Sequence, residues 1–186
     1  MYFHGGGFET GSAGDAVEGG DGPLIDIAPI CTLSPTLRIP THYSVHQPRT
    51  PFCDNAPPEN LILGSAKPLI FVTFQYRLGQ FGFLGGTHVH DDGVLNSGLL
   101  DQKVALVWVQ RYIRKFGGDP TLIFQMCHHL GESAGAGSII LHLIGDDGAN
   151  AIVFHQAMGD SPSLGFLPHY TDSSVEDLFT QFSDLA

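Results

Sequence analysis

The stretch "GESAGAGS", residues 131–138, decides the predicted fold. It matches G-x-S-x-G, in which a serine sits on a sharp turn between a strand and a helix, with glycines where side chains would clash with the neighbouring elements. "TLIF" (121–124) begins a predicted strand before it, and a predicted helix runs from Ala134 to about Leu143 after it. The turn would lift the Ser133 hydroxyl to a helix N-terminus, where the helix dipole favours developing negative charge.

The neighbouring segments alternate between strand and helix patterns. "PLIFVTFQYRLG" (68–79) is a nearly continuous apolar run, typical of a strand covered on both faces, and "AIVFHQAM" (151–158) is a further predicted strand. Between them, Leu99 to Phe116 is predicted as a helix that Gly117 and Gly118 end. Its apolar residues recur near a 3.6-residue period, at Leu100, Val104, Val107, Trp108, Ile113 and Phe116. This order predicts an α/β fold with a parallel sheet and flanking helices.

The start of that helix carries its own signals. Asn96 or Ser97 is expected to cap it, and Asp101 is expected in its first turn, where the helix dipole favours an acidic side chain.

A second motif, "HGGGF" at residues 4–8, follows the short apolar stretch "MYF", which we predict as the end of a strand. Consecutive glycines expose backbone amides without obstruction by side chains. The N–H groups of Gly6 and Gly7, together with that of Ala134, are predicted to form an oxyanion hole for a tetrahedral intermediate.

Taken together, the motifs resemble the type-B carboxylesterase (cholinesterase-like) family of α/β-hydrolases. The stretches that carry the resemblance are "YFHGGGFETGS", "VTFQYRLGQFGFL", "GVLNSGLLDQKVALVWVQRYIRKFGGDP", "GESAGAGS" and, less closely, "FHQAMGDSPS". They cover a little over half of the chain, in the family's order. The resemblance implies ester hydrolysis through an acyl-enzyme, with Ser133 as nucleophile and an oxyanion hole of Gly6, Gly7 and Ala134. It also implies a pocket-lining role for Glu132 and a structural ion pair between Arg77 and Asp101.

The base that would activate Ser133 is not evident in the sequence. The fold's chain order is serine, then acid, then histidine, and in the family the last two lie far beyond the serine, whereas only 53 residues follow Ser133 here. His142 lies nine residues beyond Ser133 in the predicted helix, pointing away from the hydroxyl, and His155 lies in the next predicted strand. His169 lies in a loop that could fold over the serine. We therefore predict a catalytically incomplete site, and a partial α/β-hydrolase fold with strands missing at both ends.

Two internal stretches match nothing in the family. Residues 16–58 hold eight of the twelve prolines and have no sustained period, so within a single domain spanning residues 1–186 they are predicted as a disordered insertion. "TLIFQMCHHL" (121–130) is about four residues longer than expected and too polar for a buried central strand. Cys31, Cys53 and Cys127 all fall in these stretches. Our hypothesis is that both are translated non-coding sequence or an errant gene model.

Composition limits the partners. The net charge of −11 argues against nucleic acid and anionic membranes, and the longest apolar runs are too short to span a bilayer.

We predict no cofactor and no metal: "HVHDD" (88–92) resembles the H-x-H-x-D run of dinuclear zinc hydrolases, but no further ligand cluster follows at suitable spacing, and its position is expected to be a loop. The N-terminus has no signal-peptide pattern. Many relatives are secreted, and the compartment stays open.

Two classes of function remain. The first is a serine carboxylic ester hydrolase that acts on a small-molecule ester. The second is a non-catalytic esterase-like binding module, or an inactive fragment. The intact "GESAG" favours an enzyme, because adhesion proteins of this family usually lack the nucleophile.

Overall fold

The computed structural model describes residues 1–9, 25–27, 65–126, 132–145, 154–159, 161–165 and 167–185. Within these ranges the chain forms four strands, five α-helices and two 3₁₀ segments. In chain order they are β1 (Ile25–Ile27), β2 (Val72–Phe74), α1 (Gly79–Phe83), α2 (Thr87–Asp92), α3 (Ser97–Tyr112), 3₁₀ segments Ile113–Phe116 and Pro120–Leu122, β3 (Phe124–Met126), α4 (Glu132–Ile144), β4 (Gln156–Met158) and α5 (Ser173–Leu185).

The described strands pair in parallel, as predicted, but they form two separate pairs. β1 pairs with β2, with Ile25 opposite Val72, and β3 pairs with β4, with Phe124 opposite Gln156. Since α4 connects β3 to β4, this part of the chain is a strand–helix–strand unit, the connection that parallel strands require. The prediction that all these strands form a single sheet was wrong for the described residues. In addition, β2 occupies only three residues of the apolar run 68–79.

The first residues of the chain also join β2. The backbone N–H of Tyr2 donates to the carbonyl of Val72 at 2.7 Å, and the ring of Phe3 meets that of Phe74 edge-to-face at 5.0 Å between centroids. The predicted strand "MYF" is therefore a single bridge. Phe3, Phe74 and Leu106 of α3 are fully buried and form the centre of the hydrophobic core.

Helix α3 begins two residues before its predicted start, and its last predicted turn is 3₁₀ helix that ends at Gly117, with φ 85°. The predicted apolar period is only partly buried, with Ile113 in the core and Trp108 packed against it. Leu100, Val104 and Val107 are at least 40% exposed, whereas Ala105, Leu106 and Val109 are buried. The reason is that α3 is apolar on two faces, so the 3.6-residue period alone does not identify the one that packs on β2.

The signals at the start of α3 act differently from the prediction. Asn96 occupies the N-cap position at φ 56° and makes no side-chain cap bond, whereas the Ser97 hydroxyl donates to the carbonyl of Val94 at 2.9 Å. Asp101 lies beyond the first turn. Its carboxylate instead accepts three hydrogen bonds from Arg77: from Nε at 2.7 Å, from Nη2 at 2.8 Å and from the backbone N–H at 3.0 Å. This bidentate pair fastens the loop after β2 to α3.

The boundaries of other strands and helices differ from the predicted ones by a few residues. The predicted strand 121–124 starts only at Phe124, because Pro120 opens a 3₁₀ turn that the Asp119 carboxylate caps through the N–H of Thr121 at 2.9 Å. Helix α4 begins at Glu132 and ends at Ile144, and His155 lies just before β4.

The two stretches without a family counterpart are described only in part. Ile25–Ile27, within residues 16–58, forms β1, and the rest of residues 16–58 lies outside the described residues. Gln125 and Met126 belong to β3, so the polar run contributes to a strand after all. The three cysteines, with His128 and His129, lie outside the described residues. No helix in the described ranges is long and apolar enough to cross a membrane.

We expect Asp101→Asn to lower the free energy of unfolding by about 1–2 kcal/mol, because hydrogen bonds to a charged group are lost while the Asp101 side chain stays largely covered. Urea denaturation followed by circular dichroism measures this. The exposed carboxylate of Asp177 on α5 provides the control, Asp177→Asn, which is expected to leave stability within about 0.5 kcal/mol of the wild type. Equal stability of both variants would show that the ion pair does not hold the loop.

Candidate functional site

Ser133 lies in the first turn of α4, where the strand–helix–strand unit turns from β3 towards β4. It is partly exposed, whereas the next six residues, 134–139, are all buried. The N–H of Ala134 belongs to the first four of the helix, which have no acceptor within it. Glu132 is the first residue of α4. The start of this helix therefore combines a partly exposed serine with backbone donors.

The glycine turn is held by contacts of its own. Gly6 and Gly7 have φ values of 107° and 66°, the region that favours glycine. The Tyr76 hydroxyl donates to the carbonyl of His4 at 2.7 Å on one side, and the N–H of Gly79 donates to the carbonyl of Phe8 at 2.7 Å on the other. These bonds fasten the turn to the segment after β2. Gly6 is partly exposed and Gly7 is exposed, so the turn presents its backbone to solvent.

A network of hydrogen bonds joins the buried side chains of Gln102 and Ser138 to the partly buried ring of His142, and it links α3 to α4. His142 Nε2 lies 2.9 Å from Gln102 Oε1, and Gln102 Nε2 donates to the hydroxyl of Ser138 at 3.0 Å. The Ser138 hydroxyl in turn donates to the carbonyl of Ala134 at 2.9 Å. Gln102 and Ser138 are both fully buried, so these bonds satisfy groups that would be costly to leave unpaired. This network of hydrogen bonds ends at Ala134, the residue that follows Ser133.

The surroundings of His142 in this network determine its protonation state. Burial, aided by the positive charge of Lys103, lowers the pKa of His142 to about 4, so its ring is neutral near pH 7. Since Gln102 presents its oxygen to this ring, the neutral form carries its proton on Nε2. Its ring also packs against Phe3, with 5.8 Å between centroids. The His142 ring is thus engaged by Gln102 and Phe3, and its orientation away from Ser133 stays a prediction.

The other histidines considered as bases are engaged elsewhere or exposed. His169 Nδ1 lies 2.8 Å from the hydroxyl of Thr171, and its ring packs on Tyr170. His155 is exposed just before β4.

The "HVHDD" run forms helix α2 where a loop was expected, and it packs against the C-terminal part of the chain. The ring of His88 stacks on Phe179 of α5, and that of His90 stacks on Tyr170. The Thr87 side chain, together with the Thr87 backbone N–H that donates to the Glu176 carboxylate at 2.8 Å, lowers the pKa of that carboxyl. Among the described residues, no group of three or more histidine, cysteine, aspartate or glutamate side chains is arranged to hold a metal ion.

Sequence reasoning missed three residues that contact the start of α4 or support it: Gln102, Ser138 and Ser163. The N–H of Ser163 donates to the carbonyl of Ser133 at 2.9 Å. Gln102 had a readable signal, because it lies four residues after Gly98 and three and four before Ala105 and Leu106, all on the buried face of α3. The bond from Ser163 had no direct signal, since it is made by the backbone.

The sequence model of the "Carboxylesterase family" matches residues 54–185. The chain belongs to this family. The expected resemblance to type-B carboxylesterases is thereby confirmed. The match does not extend to residues 1–53, which include the glycine turn and most of the proline-rich stretch.

Individual carboxylesterase-family proteins agree with this assignment. The chain is 37% identical to a secreted lipase of Arthroderma benhamiae over 127 residues, which are 68% of this chain and 24% of that protein. It is 45% identical over 110 residues to carboxylesterase patB of Penicillium expansum, covering 59% and 18% of the two chains. A solved structure of a PNB esterase matches with a TM-score of 0.50 and 32% identity, over 62% of this chain and 22% of that one. The matched part thus has the α/β-hydrolase fold, and the chain spans less than a quarter of each of these proteins.

The neutral state of the partly buried His142 predicts a specific pH dependence of stability. Its pKa is about 4 in the folded chain and about 6.5 when unfolded, so below pH 6.5 the unfolded chain binds more protons. Stability that is present above pH 6.5 is therefore lost as the pH falls towards 4, by at most about 1.4 kcal/mol per pH unit. His142→Gln, which keeps a donor for Gln102 but cannot titrate, is expected to flatten this slope in urea denaturation.

The matched control is His155→Gln, at an exposed histidine, which is expected to follow the wild-type slope. If His142→Gln and the wild type lose stability in parallel between pH 6.5 and 4, His142 is not held neutral in the folded protein.

Proposed function

We propose that this chain carries the nucleophile-bearing part of a serine carboxylic ester hydrolase of the type-B carboxylesterase family. The observation that carries the proposal is the position of Ser133, which is partly exposed in the first turn of a helix that lies in chain order between two paired parallel strands. Relatives named lipase and carboxylesterase support the same reaction class. The substrate class is a small-molecule carboxylic ester.

In the proposed reaction, the oxygen of Ser133 attacks the acyl carbon and loses its proton to a base. The carbonyl oxygen becomes an oxyanion that accepts hydrogen bonds from the N–H groups of Gly6, Gly7 and Ala134. The alcohol then leaves with a proton, which gives an acyl-enzyme, and water releases the acid. The positive φ values of the glycine turn and the helix-end position of Ala134 support these three donors. Glu132, beside the nucleophile, is assigned to the pocket wall.

The activity of this chain by itself is proposed to be incomplete. The base must reach the Ser133 hydroxyl, but the ring of His142 is bonded to Gln102 and that of His169 to Thr171. Without its base, a serine site retains about 10³–10⁴-fold acceleration over water from oxyanion stabilisation and binding. We therefore expect modification of Ser133 by reactive probes without rapid turnover. The same observation favours the second candidate, an esterase-like module that binds an ester and does not hydrolyse it.

A fluorophosphonate probe separates these functions. We expect it to modify the natively folded chain at Ser133, identified by peptide mass spectrometry, because the phosphonyl oxygen needs the same donors as an ester oxyanion. Ser133→Ala is expected to abolish the modification. Ser163→Ala, which removes an exposed hydroxyl nearby and keeps the backbone, is expected to be modified at the wild-type rate.

Chain unfolded in urea serves as the reference for unassisted serine reactivity. If the folded chain is modified no faster than the unfolded chain, the hydrolase proposal fails and the binding module becomes the better account.

A further inference from the structure

The segment after β4 approaches the start of α4 at backbone distance. A Cβ atom built on Gly159 would lie 2.9 Å from the Cβ of Ala136. The chain then turns, with Ser161 at φ 47°, and the N–H of Ser163 reaches the carbonyl of Ser133 at 2.9 Å. The backbone N–H of Ser163, which lies outside α4, thus donates a hydrogen bond to a carbonyl in the first turn of that helix.

This bond acts on the proposed oxyanion donor through a shared peptide unit. The carbonyl of Ser133 and the N–H of Ala134 lie in one plane and point in opposite directions, because the peptide bond between them is planar and trans. A bond that fixes the carbonyl therefore fixes the direction of the N–H. It also polarises the peptide unit, which makes the N–H a stronger donor.

The approach of Ser163 depends on a glycine one turn further along α4. In a helix, residue i+4 stands over the same face as residue i. At Gly137, four residues after Ser133, a Cβ atom would lie 2.6 Å from the carbonyl oxygen of Ser163, closer than such atoms come. Any side chain at this position would push the Ser163 carbonyl outwards, and it would thereby displace the residue whose N–H reaches the carbonyl of Ser133.

We propose that Ser163 is a positioning residue for the oxyanion hole: its backbone N–H aims the N–H of Ala134, and Gly137 leaves the space for it. This inference rests on the proposed function, in which Ala134 is an oxyanion donor. Ser163 does not touch the substrate, and its side chain is not required.

Two variants of the full chain test the role of the backbone. Ser163→Pro removes the N–H, and Gly137→Ala displaces the Ser163 peptide, whereas Ser163→Ala keeps the N–H and is the matched control. Both test variants are expected to slow fluorophosphonate modification of Ser133 by about 10- to 100-fold, somewhat less than the loss of a whole oxyanion donor. The amide nitrogen chemical shift of Ala134, which responds to hydrogen bonding at the preceding carbonyl, is expected to move in both test variants and not in the control.

The shift distinguishes positioning from general damage to the fold. Slower modification with an unchanged Ala134 shift would mean that Ser163 has only a structural role, and a changed shift with wild-type modification would mean that the bond does not affect the site. Either result overturns the inference and leaves the hydrolase proposal intact. If the wild-type chain itself is not modified, the proposed function fails and the inference falls with it. Should Ser163→Pro lose its native circular dichroism, Gly137→Ala decides.

Discussion

The buried side-chain amide of Gln102 is the interaction on which the arrangement around Ser133 depends. Its oxygen faces His142 and its nitrogen faces Ser138, and these two residues lie one turn apart on α4. Both ends of a buried amide must be paired, because an unsatisfied group costs about 1–3 kcal/mol. Sliding α4 along α3 by one turn would break both of these hydrogen bonds. The amide therefore sets where α4 begins relative to the core.

The other contacts refine this placement from outside the helix. The core side of α3, with Leu106 and Val109, packs towards β2, while the ion pair of Arg77 and Asp101 fastens the loop after β2 to the same helix. At the start of α4, the backbone of Ser163 closes on Ser133. Ser133 is thus held by its own backbone and by neighbouring backbone, which leaves its side chain partly exposed.

The parts of the fold that the sequence predicts best are those with two independent signals. The helix from Ser97 to Tyr112 had a period and a double-glycine end, and Ser133 had a motif between a strand pattern and a helix pattern. The predicted apolar period of α3 included exposed residues because the helix is apolar on two sides. "HVHDD" was taken for a loop because the family resemblance places a variable loop there, yet its histidine rings stack on Phe179 and Tyr170, which lie about 80–90 residues further along the chain.

The supporting contacts of the candidate site were harder to predict for a different reason. A hydrogen bond from the backbone of Ser163 leaves no mark on residue type, except indirectly in Gly137, whose missing side chain makes room for it. Gln102 could have been recognised as a polar residue on a buried face, but its partners lie 36 and 40 residues away. Which end of the amide meets which partner depends on tertiary packing.

A double-mutant cycle between Gln102→Met and Ser138→Ala tests most directly whether the buried amide holds α4 in place. Urea denaturation of the wild type, both single variants and the double variant gives the coupling free energy. If Gln102 and Ser138 are hydrogen-bonded to each other, the effects of the two substitutions on the free energy of unfolding are not additive, and the coupling free energy is about 0.5–3 kcal/mol. Effects that add to within about 0.3–0.5 kcal/mol would contradict the central role of Gln102.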